Sequence, residues 1–410
     1  MTTTAIDPDA LLLELVATPE GRADPYERYR ALRTMAPVHH SNFGPWVLTR
    51  YDDCQTVLRH PEVGKDFSGL AGTEGLTAEQ RAEEAAFRND RSNMLFADPP
   101  DHTRLRSLAT RAFTPRTVEK LRPSIVDLVD GLVDGFDGEV EVMGELAFRL
   151  PITVIGEMLG VPTADRAQFR PLVRAVTAVL ELTISPEQLS QASAASATME
   201  AYFRDLIGER RRHPQDDLLS KLIAAEEGGD SLTEYELIST SILLFAAGFE
   251  TTTHLIGNGL LALLRHPDQL ARLRTDRATL LRPAVEELLR FDSPVQITAR
   301  TAYTDVRIDD HVIPRGDIVL SLLGAANRDP AKFTDPEQLY LGRSEGSPIS
   351  FGAGIHFCLG AALARLEGQI VFDRLLDRFP TIELVGGTPP HRDSLTLRGL
   401  LELPVRFSRN

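Results

Sequence analysis

The 410-residue sequence has little cysteine and few positive charges, and both features exclude classes of protein to which it could belong. Two cysteines cannot supply the disulfide framework of a small secreted protein. The 44 basic residues are outnumbered by 59 acidic ones, so the net charge is −15. Such a chain is a poor partner for nucleic-acid phosphates and for anionic membranes. A chain of this length buries a large core without cross-links.

The sequence also lacks the features of an export signal, because its first residues have no basic head and no long apolar core. The longest apolar stretch, Leu237–Leu264, is long enough to span a bilayer, but Glu250, His254 and Asn258 interrupt it. We interpret this stretch as a buried central helix and expect a cytoplasmic protein without a membrane partner. No repeat or linker divides the chain, so we expect a single domain over residues 1–410.

Apolar residues at three- and four-residue spacing predict a mainly α-helical fold. The predicted helices, besides the central one, are Asp24–Arg33, Tyr51–Leu58, Val118–Gly131, Met143–Leu159, Gln188–Arg211, Pro283–Phe291 and Leu359–Phe379. Ser231 and Glu234 have the spacing of a capping box at the head of the central helix. Alternating patterns predict a small β region in Trp46–Thr49, Arg300–Ile308, Ile318–Leu320 and Leu395–Phe407. A hairpin tip is expected at Arg398-Gly399.

The stretch Gly64–Ala97 is long and rich in turn residues, with a charged helical pattern at Thr77–Arg88. Loops of this length in compact proteins are usually functional covers, and we expect one here. The charged pattern is typical of a helix face in contact with solvent.

The two cysteines have different sequence surroundings. Cys54 lies in a helical pattern and is expected to be a small buried hydrophobic residue. Cys358 follows a glycine-rich loop and precedes an apolar helix, whose N-terminus would stabilise a thiolate. Such a thiolate can be a nucleophile with His356 as its base, or a single ligand to haem iron, whereas a zinc site needs further cysteines. Spacing alone leaves a haem ligand, a nucleophile and a structural cysteine equally open.

The loop Phe351–Gly360 resembles the cysteine-ligand loop of the cytochrome P450 family, whose pattern is Phe-x-x-Gly-x-His-x-Cys-x-Gly. The resemblance implies that Cys358 is the ligand of the haem iron and that Phe351 packs beside the sulfur. It also implies that Gly354 and Gly360 let backbone amides approach the sulfur. The resemblance also implies that Gly352, in the same loop, is a haem-binding residue.

Two further segments resemble structural motifs of that family. Glu287 and Arg290 match a Glu-x-x-Arg signature and share a helix face, which implies an internal ion pair that supports the haem side. In the family an arginine often joins this pair from a Pro-Glu-Arg-Phe-like segment. Here Gln338 takes its place, which puts the third member of the network in doubt. Asn327–Pro330 resembles another short motif with a structural role.

The stretch Ala247–Thr252 resembles the family's Ala-Gly-x-Asp/Glu-Thr-Thr motif on the oxygen-binding face of haem. Glycine and threonine are unfavourable in mid-helix, and threonine hydroxyls can bond back to carbonyls and bend the helix. The sequence therefore predicts an interruption of the central helix here. The resemblance implies that Glu250 and Thr251 manage proton delivery and that Ala247 and Gly248 border the haem.

Four basic side chains match the family's haem-propionate ligands. His102 and Arg106 are four residues apart on one helix face, after an acidic proline turn that begins at Asp98. By the same resemblance, Arg300 and His356 donate to the propionates as well. Buried carboxylates need charged, hydrogen-bonding partners of this kind.

The resemblance covers nearly the whole chain and implies a mainly α cytochrome P450 fold, a triangular helical domain that encloses haem b and carries a small β-rich region. It implies a bacterial haem-thiolate monooxygenase that oxidises an apolar small molecule with O₂. A separate ferredoxin with its reductase is the expected electron donor, because no flavin or iron–sulfur domain is fused. Candidate substrates are a terpenoid, steroid, macrolide or fatty acid, as in secondary metabolism. The expected pocket positions are Met94, Leu95, Phe96, Leu243, Leu244, Ala247, Val295, Ile297, Leu395 and Leu397.

Two alternatives remain at the level of sequence. The first is a peroxide-driven haem-thiolate peroxygenase, and the second is a non-catalytic haem sensor or carrier. Neither has a need for the Glu250–Thr251 pair, so the presence of that pair favours the monooxygenase.

Overall fold

Helices dominate the computed structural model, which describes residues 7–67, 77–78, 80–82, 92–227 and 230–409. The α-helices are α1 Pro8–Ala17, α2 Pro19–Ala23, α3 Tyr26–Met35, α4 Tyr51–Arg59, α5 Asp101–Ala112, α6 Pro115–Glu119, α7 Arg122–Val133, α8 Arg149–Met158, α9 Thr163–Arg166, α10 Phe169–Thr177, α11 Pro186–Arg212, α12 Leu218–Ile223, α13 Glu234–Arg265, α14 Pro267–Thr275, α15 Arg277–Phe291, α16 Leu323–Ala326 and α17 Ala361–Arg378. A π-helix at Met143–Ala147 and 3₁₀ turns at Ala178–Leu180 and Gly354–His356 also occur.

The predicted helices are present, with ends that differ by a few residues, except for two. Met143–Leu159 is a π-helix followed by α8, and Val118–Gly131 is divided between α6 and α7. The chain leaves helical hydrogen bonding between α6 and α7, and Pro123 lies in the first turn of α7. Proline is accepted there because the first-turn amides have no intrahelical partner, whereas in a helix interior it breaks the hydrogen bonding. The charged pattern at Thr77–Arg88 lies largely outside the described residues.

Helix α13 is the central helix of the fold, and its burial confirms the interpretation of the long apolar stretch. It packs against α8, α11, α15 and α17 within the largest hydrophobic core. The predicted capping box is wrong: Thr233 caps the helix with Glu236, two residues later. Ser231 instead belongs to a short strand. In the part of the chain that the structure describes, no helix combines the length and apolar character that crossing a bilayer requires.

The β structure is small, as predicted. Its strands are β1 Val38–His40, β2 Trp46–Leu48, β3 Val63–Gly64, β4 Gly138–Glu141, β5 Glu226–Glu227, β6 Asp230–Ser231, β7 Ile297–Ala302, β8 Val306–Ile308, β9 His311–Ile313, β10 Ile318–Leu322, β11 Thr381–Leu384 and β12 Pro404–Ser408. One sheet has the order β1-β2-β10-β7-β3, a second has the order β11-β12-β4, and two hairpins pair β5 with β6 and β8 with β9. The predicted strand Arg300–Ile308 is therefore two strands, β7 and β8.

The predicted hairpin tip at Arg398-Gly399 is wrong. The amide of Arg392 donates to the carbonyl of Gly399 over 2.9 Å, so the chain reverses between these two residues. Arg398 points inward, where its Nε donates to Asp292 Oδ1 over 2.7 Å. A buried ion pair of this kind outweighs the preference of an Arg-Gly sequence for a turn. Strand β12 pairs with β11 and β4 instead.

Three distant parts of the chain meet at Asp292, which follows α15. Besides Arg398 of the C-terminal segment, the hydroxyl of Tyr26 at the start of α3 donates to Asp292 over 2.6 Å. Arg398 also donates to the carbonyl of Arg22 over 3.1 Å. The N-terminal helices, the end of α15 and the C-terminal segment are thus joined through one partly buried carboxylate.

Candidate functional site

A cavity of about 690 Å³ lies between the middle of α13 and the loop that precedes α17. Strand β7 and the segments on either side of residues 68–91 add further lining residues. Cys358 borders the cavity, while Cys54 is buried in α4. The thiol of Cys54 lies 3.5 Å from the carbonyl of Leu48, and burial raises its pKa, as expected of a structural cysteine.

The glycine-rich loop presents the Cys358 sulfur to the cavity. The amide of Cys358 donates to the carbonyl of Phe351 over 3.0 Å, which closes the loop. Burial raises the pKa of the Cys358 thiol, whereas amide hydrogen bonds from Gly360 and Ala361 and the guanidinium of Arg106 favour the thiolate. Helix α17 begins at Ala361, so these amides are the free donors of its first turn.

Two of the loop glycines are needed for backbone reasons. Gly352 and Gly354 both have positive φ, +69° and +70°, which side chains rarely adopt. A Cβ at Gly354 would overlap the carbonyl of Leu58 at the end of α4. The structure therefore assigns Gly354 to close packing on α4, while Gly352 and Gly360 border the cavity.

The four predicted propionate ligands meet at one end of the cavity: His102, Arg106, Arg300 and His356 all line it. The imidazole rings of His102 and His356 lie 4.3 Å apart between centroids. Arg106 Nη2 donates to the carbonyl of Phe357 over 2.7 Å, and Arg300 Nη1 donates to the carbonyl of Ala299 over 2.8 Å. Within the described ranges, no carboxylate forms a salt bridge with either arginine.

The polar atoms of this cluster fit an anionic ligand. Both ring nitrogens of His102 and Nε2 of His356 are buried without a hydrogen-bond partner in the described structure. Burial, reinforced by Arg106, lowers the pKa of His102 to about 4, and burial lowers the pKa of Arg300 to about 10. Unpartnered buried donors are costly, so a ligand with carboxylates is the complement they require. Donors for carboxylates at one end and one cysteine sulfur in the wall form the donor set that haem needs.

The motif at Ala247–Thr252 faces the same cavity from α13. Thr251 Oγ1 donates to the carbonyl of Ala247 over 3.0 Å, and Thr252 Oγ1 donates to that of Gly248 over 3.3 Å, which is the predicted back-bonding. The helix nevertheless continues through the motif, so the expected interruption is wrong. A Cβ at Gly248 would come within 2.9 Å of Ile155 in α8, and this close helix packing explains the glycine.

Glu250 is buried and both of its carboxylate oxygens have partners. Thr177 Oγ1, at the end of α10, donates to Oε2 over 2.9 Å. Arg392 of the C-terminal segment donates to Oε1, and the same nitrogen lies 2.8 Å from His254 Nε2. Arg392 is not predictable from the sequence, because it is 142 residues from Glu250 and no local pattern marks it.

Glu287 and Arg290 form the buried pair that the resemblance implies. Arg290 donates twice to the Glu287 carboxylate, over 2.7 and 2.8 Å, and the two residues are 3% and 1% exposed. The third member is Arg343, whose Nε donates to Glu287 over 3.1 Å. Gln338 contributes its backbone carbonyl, which accepts from Arg290 over 3.1 Å.

The short motif Asn327–Pro330 lies beside the Glu287 network. Asn327 accepts from the amide of Ile349 over 2.8 Å and donates to Ser293 Oγ over 2.7 Å, and its carbonyl accepts from Arg290 over 2.9 Å. These contacts fix the segment that leads into the cysteine loop.

Nine of the ten expected pocket positions line the cavity, and Leu395 does not. Leu395 packs in a separate core with helices α1 and α3, while Thr396 and Leu397 reach the cavity. The cavity also has polar lining residues that were not among the expected positions: Lys65, Thr177, Glu181, Ser193, Ser196, Glu200 and Ser239. The three- and four-residue spacing of Ser193, Ser196 and Glu200 on α11 was a detectable signal for one of these faces.

Comparisons with known proteins agree with this geometry. A family model described as "Cytochrome P450" matches residues 46–408. Cytochrome P450 107B1 of Saccharopolyspora erythraea is 45% identical over 94% of this chain and 93% of that protein. The monooxygenase PikC of Streptomyces venezuelae is 43% identical over 94% and 92%. The vitamin D(3) 25-hydroxylase of Pseudonocardia autotrophica is 41% identical over 93% of both chains.

A solved structure extends the likeness to the fold. The crystal structure of P450BioI in complex with an acyl carrier protein carrying hexadec-9Z-enoic acid has a TM-score of 0.89. The two sequences are 39% identical, and the match covers 96% of this chain and 100% of that one.

Proposed function

The chain belongs to the cytochrome P450 family, and we propose that Cys358 is the iron ligand of its haem. The chain is a haem-dependent monooxygenase that acts on organic substrates and needs redox partners. The observation that carries the proposal is the single cysteine sulfur at the cavity wall, which accepts hydrogen bonds from the amides of Gly360 and Ala361. Cys54 is too deeply buried in α4 to compete.

The ligand assignment has a spectroscopic test. The ferrous CO complex is expected to show the red-shifted Soret band of thiolate ligation, and Cys358→His should move that band to the position of imidazole-ligated haem. Cys54→Ala is the matched control and should leave the spectrum unchanged. A Cys358→His variant with the wild-type band would contradict the assignment.

We assign His102, Arg106, Arg300 and His356 to the haem propionates, with Phe351, Gly352, Gly360, Ala247 and Gly248 forming walls around the group. When bound, haem supplies the activation of O₂ for oxygen insertion into a C–H bond. The chain's own residues hold the cofactor, exclude water with apolar walls and orient the substrate. The unpartnered nitrogens of His102 and His356 support this arrangement.

We assign proton delivery to Glu250 and Thr251. Thr251 and Glu250 both line the cavity, and the Glu250 carboxylate has Arg392 and Thr177 as partners. Arg392 orients the carboxylate by donating to Oε1, and Thr177 donates to Oε2 over 2.9 Å. A positioned acid–base pair of this kind typically contributes about 10²–10⁴ in rate.

We propose an apolar substrate of the polyketide, macrolide or steroid class. The cavity walls are mainly apolar, with Leu243, Leu244, Val295 and Ile297 among them. Similar proteins are described as a polyketide-biosynthesis P450 of Bacillus subtilis and as a vitamin D(3) hydroxylase, so secondary metabolism is the setting we favour. A screen of these classes by the substrate-induced Soret shift tests the proposal, and a preference for small hydrophilic compounds would contradict it.

We propose that the electron donor is a ferredoxin that binds where the cysteine loop reaches the surface. Ile355 and Phe357 of this loop are exposed, and Gly354 packs against the backbone of Arg59 at the end of α4. An apolar patch with an adjacent cation fits an acidic electron-transfer protein. Arg59→Glu should slow reduction by ferredoxin, most strongly at low salt, while Arg307→Glu, exposed on β8, should not. Equal rates in both variants would contradict the site.

A comparison of electron sources distinguishes the monooxygenase from the peroxygenase alternative. Turnover with ferredoxin and reductase should exceed turnover with hydrogen peroxide, because the Glu250–Thr251 pair has no use in a peroxide-driven reaction. Faster product formation with peroxide alone would favour the alternative.

We also propose a single domain in the cytoplasm, which the family match over residues 46–408 and the unpaired cysteines support.

A further inference from the structure

The cavity end that holds the four propionate ligands also contains a lysine that no motif marks. Lys65 is 6% exposed and lines the cavity. In the described structure its Nζ makes one weak hydrogen bond, to the carbonyl of Ala299 over 3.4 Å, and lies 5.4 Å from the Phe67 ring centroid. A buried ammonium is unfavourable without an ionic partner, and none of the described carboxylates forms a salt bridge with it.

The backbone holds Lys65 beside Arg300. Strand β3 ends at Gly64, which lies opposite Thr301 of the antiparallel strand β7, and Lys65 follows directly. The charge of Arg300 acts on Lys65, so the two side chains are close. The amide of Lys65 donates to Asp98 Oδ2 over 2.9 Å. A Cβ at Gly64 would collide with the Asp98 side chain, so glycine permits this close approach. The position of Lys65 is therefore fixed by the sheet and by the turn before α5.

The charges at this end of the cavity do not balance. Asp98 is the carboxylate whose charge acts on both Lys65 and Arg300, while the charge of Cys358 acts on Arg106. Lys65 and Arg300 are therefore two basic groups with one counter-charge, and an added carboxylate such as a haem propionate would supply the second. Burial and the neighbouring Arg300 lower the pKa of Lys65 well below its usual range, and an adjacent anion would restore the ammonium form.

We propose that Lys65 is a carboxylate-binding residue of the cavity and that its ammonium pairs with a haem propionate beside Arg300. The proposal rests on the haem-binding function proposed above and adds a fifth residue to the four assigned by resemblance. An acidic substrate would offer the same carboxylate chemistry, and the two sources are separable by experiment.

The first arm measures haem retention in the holoenzyme. Transfer of haem to excess apomyoglobin should be about tenfold faster for Lys65→Met than for the wild type, because a buried charged hydrogen bond is lost. Lys65→Gln repeats the test with a polar side chain, and Lys65→Arg should retain a rate near that of the wild type. Lys120→Met removes an exposed lysine outside the cavity and serves as the control.

The second arm measures substrate affinity with tetradecanoate and tetradecanol, which differ in the carboxylate. If Lys65→Met leaves haem transfer unchanged but weakens tetradecanoate alone about tenfold, the carboxylate belongs to the substrate and the propionate assignment is wrong. Unchanged haem transfer and unchanged affinities would overturn the proposal. The ferrous CO spectrum of Lys65→Met should keep the thiolate band, so a failure of the Cys358 assignment is recognised separately.

Discussion

At the scale of single residues, the Thr251 hydroxyl is the group whose removal has the most specific expected result. Thr251→Ala leaves the cysteine, the cavity and the propionate cluster intact, so substrate should bind and electrons should still be consumed. Product per electron is expected to fall and released hydrogen peroxide to rise, because the hydroxyl no longer directs the proton. Product, peroxide and NAD(P)H are measured together.

The neighbouring Thr253 provides the matched control for this measurement. Its hydroxyl bonds back to Phe249 over 2.9 Å, as Thr251 bonds to Ala247, but it does not line the cavity. Thr253→Ala should therefore keep the wild-type ratio of product to electrons. If Thr251→Ala also keeps it, the threonine is a packing residue and the proton follows another route.

Glu287 gives a prediction for stability and haem content. Glu287→Ala strands two buried guanidiniums, those of Arg290 and Arg343, and breaking such a pair costs about 3–5 kcal/mol. We expect little folded, haem-loaded protein. Arg343→Met leaves the bidentate Arg290 pair in place and should cost about 1–3 kcal/mol. The yield, the haem content and the denaturation midpoint of both variants test this order, and equal losses would contradict it.

The sequence predicts a site residue well when the partners of that residue lie in the same short segment. Cys358 and the Glu287–Arg290 pair lie in short segments whose spacing sets their geometry, so a motif describes them well. Arg343 and Arg392 reach their carboxylates from distant segments, and their positions depend on tertiary packing. The cap of α13 is different, because local rules could have placed it correctly. Thr233 and Glu236 have the same spacing as Ser231 and Glu234, so the sequence offers two capping boxes two residues apart.

At the scale of elements, the C-terminal segment packs against α13 through one glycine. A Cβ at Gly399 would overlap the imidazole of His254, which is buried and cannot move aside freely. Gly399→Ala should therefore lower the free energy of unfolding by about 1–3 kcal/mol, the typical cost of overpacking. Because Arg392 lies on the same segment, the position of Glu250 should be disturbed as well.

Gly387 is the control for this packing contact. A Cβ at Gly387 meets no atom within 4 Å, so Gly387→Ala should leave the denaturation midpoint within error or raise it slightly. Urea denaturation of both variants is the measurement. Equal midpoints would show that the segment adjusts to the added methyl group without cost.

At the scale of the whole molecule, the carboxylate of Asp292 makes the stability of the fold depend on pH. Burial by itself raises its pKa, but the charge of Arg398 and the hydroxyl of Tyr26 outweigh burial, so the pKa lies below the ordinary 3.8. A lowered carboxylate pKa stabilises the fold above the unfolded value, and the gain is lost as the pH falls through the folded value. Asp292→Asn should thus be clearly less stable at pH 7, with a difference that shrinks below about pH 4. Thermal midpoints across this range test the prediction, and a constant difference would contradict it.

The shared hydrogen bond between Thr177 and Glu250 has a consequence for how the enzyme senses its substrate. Thr177 borders the cavity and also donates to Glu250. A compound that displaces the end of α10 would therefore change this hydrogen bond and how strongly it stabilises the carboxylate. Thermodynamic linkage is reciprocal: if occupancy of the cavity alters the state of Glu250 by some factor, the state of Glu250 alters substrate affinity by the same factor. We therefore expect substrate recognition to be coupled to the proton delivery proposed for Glu250.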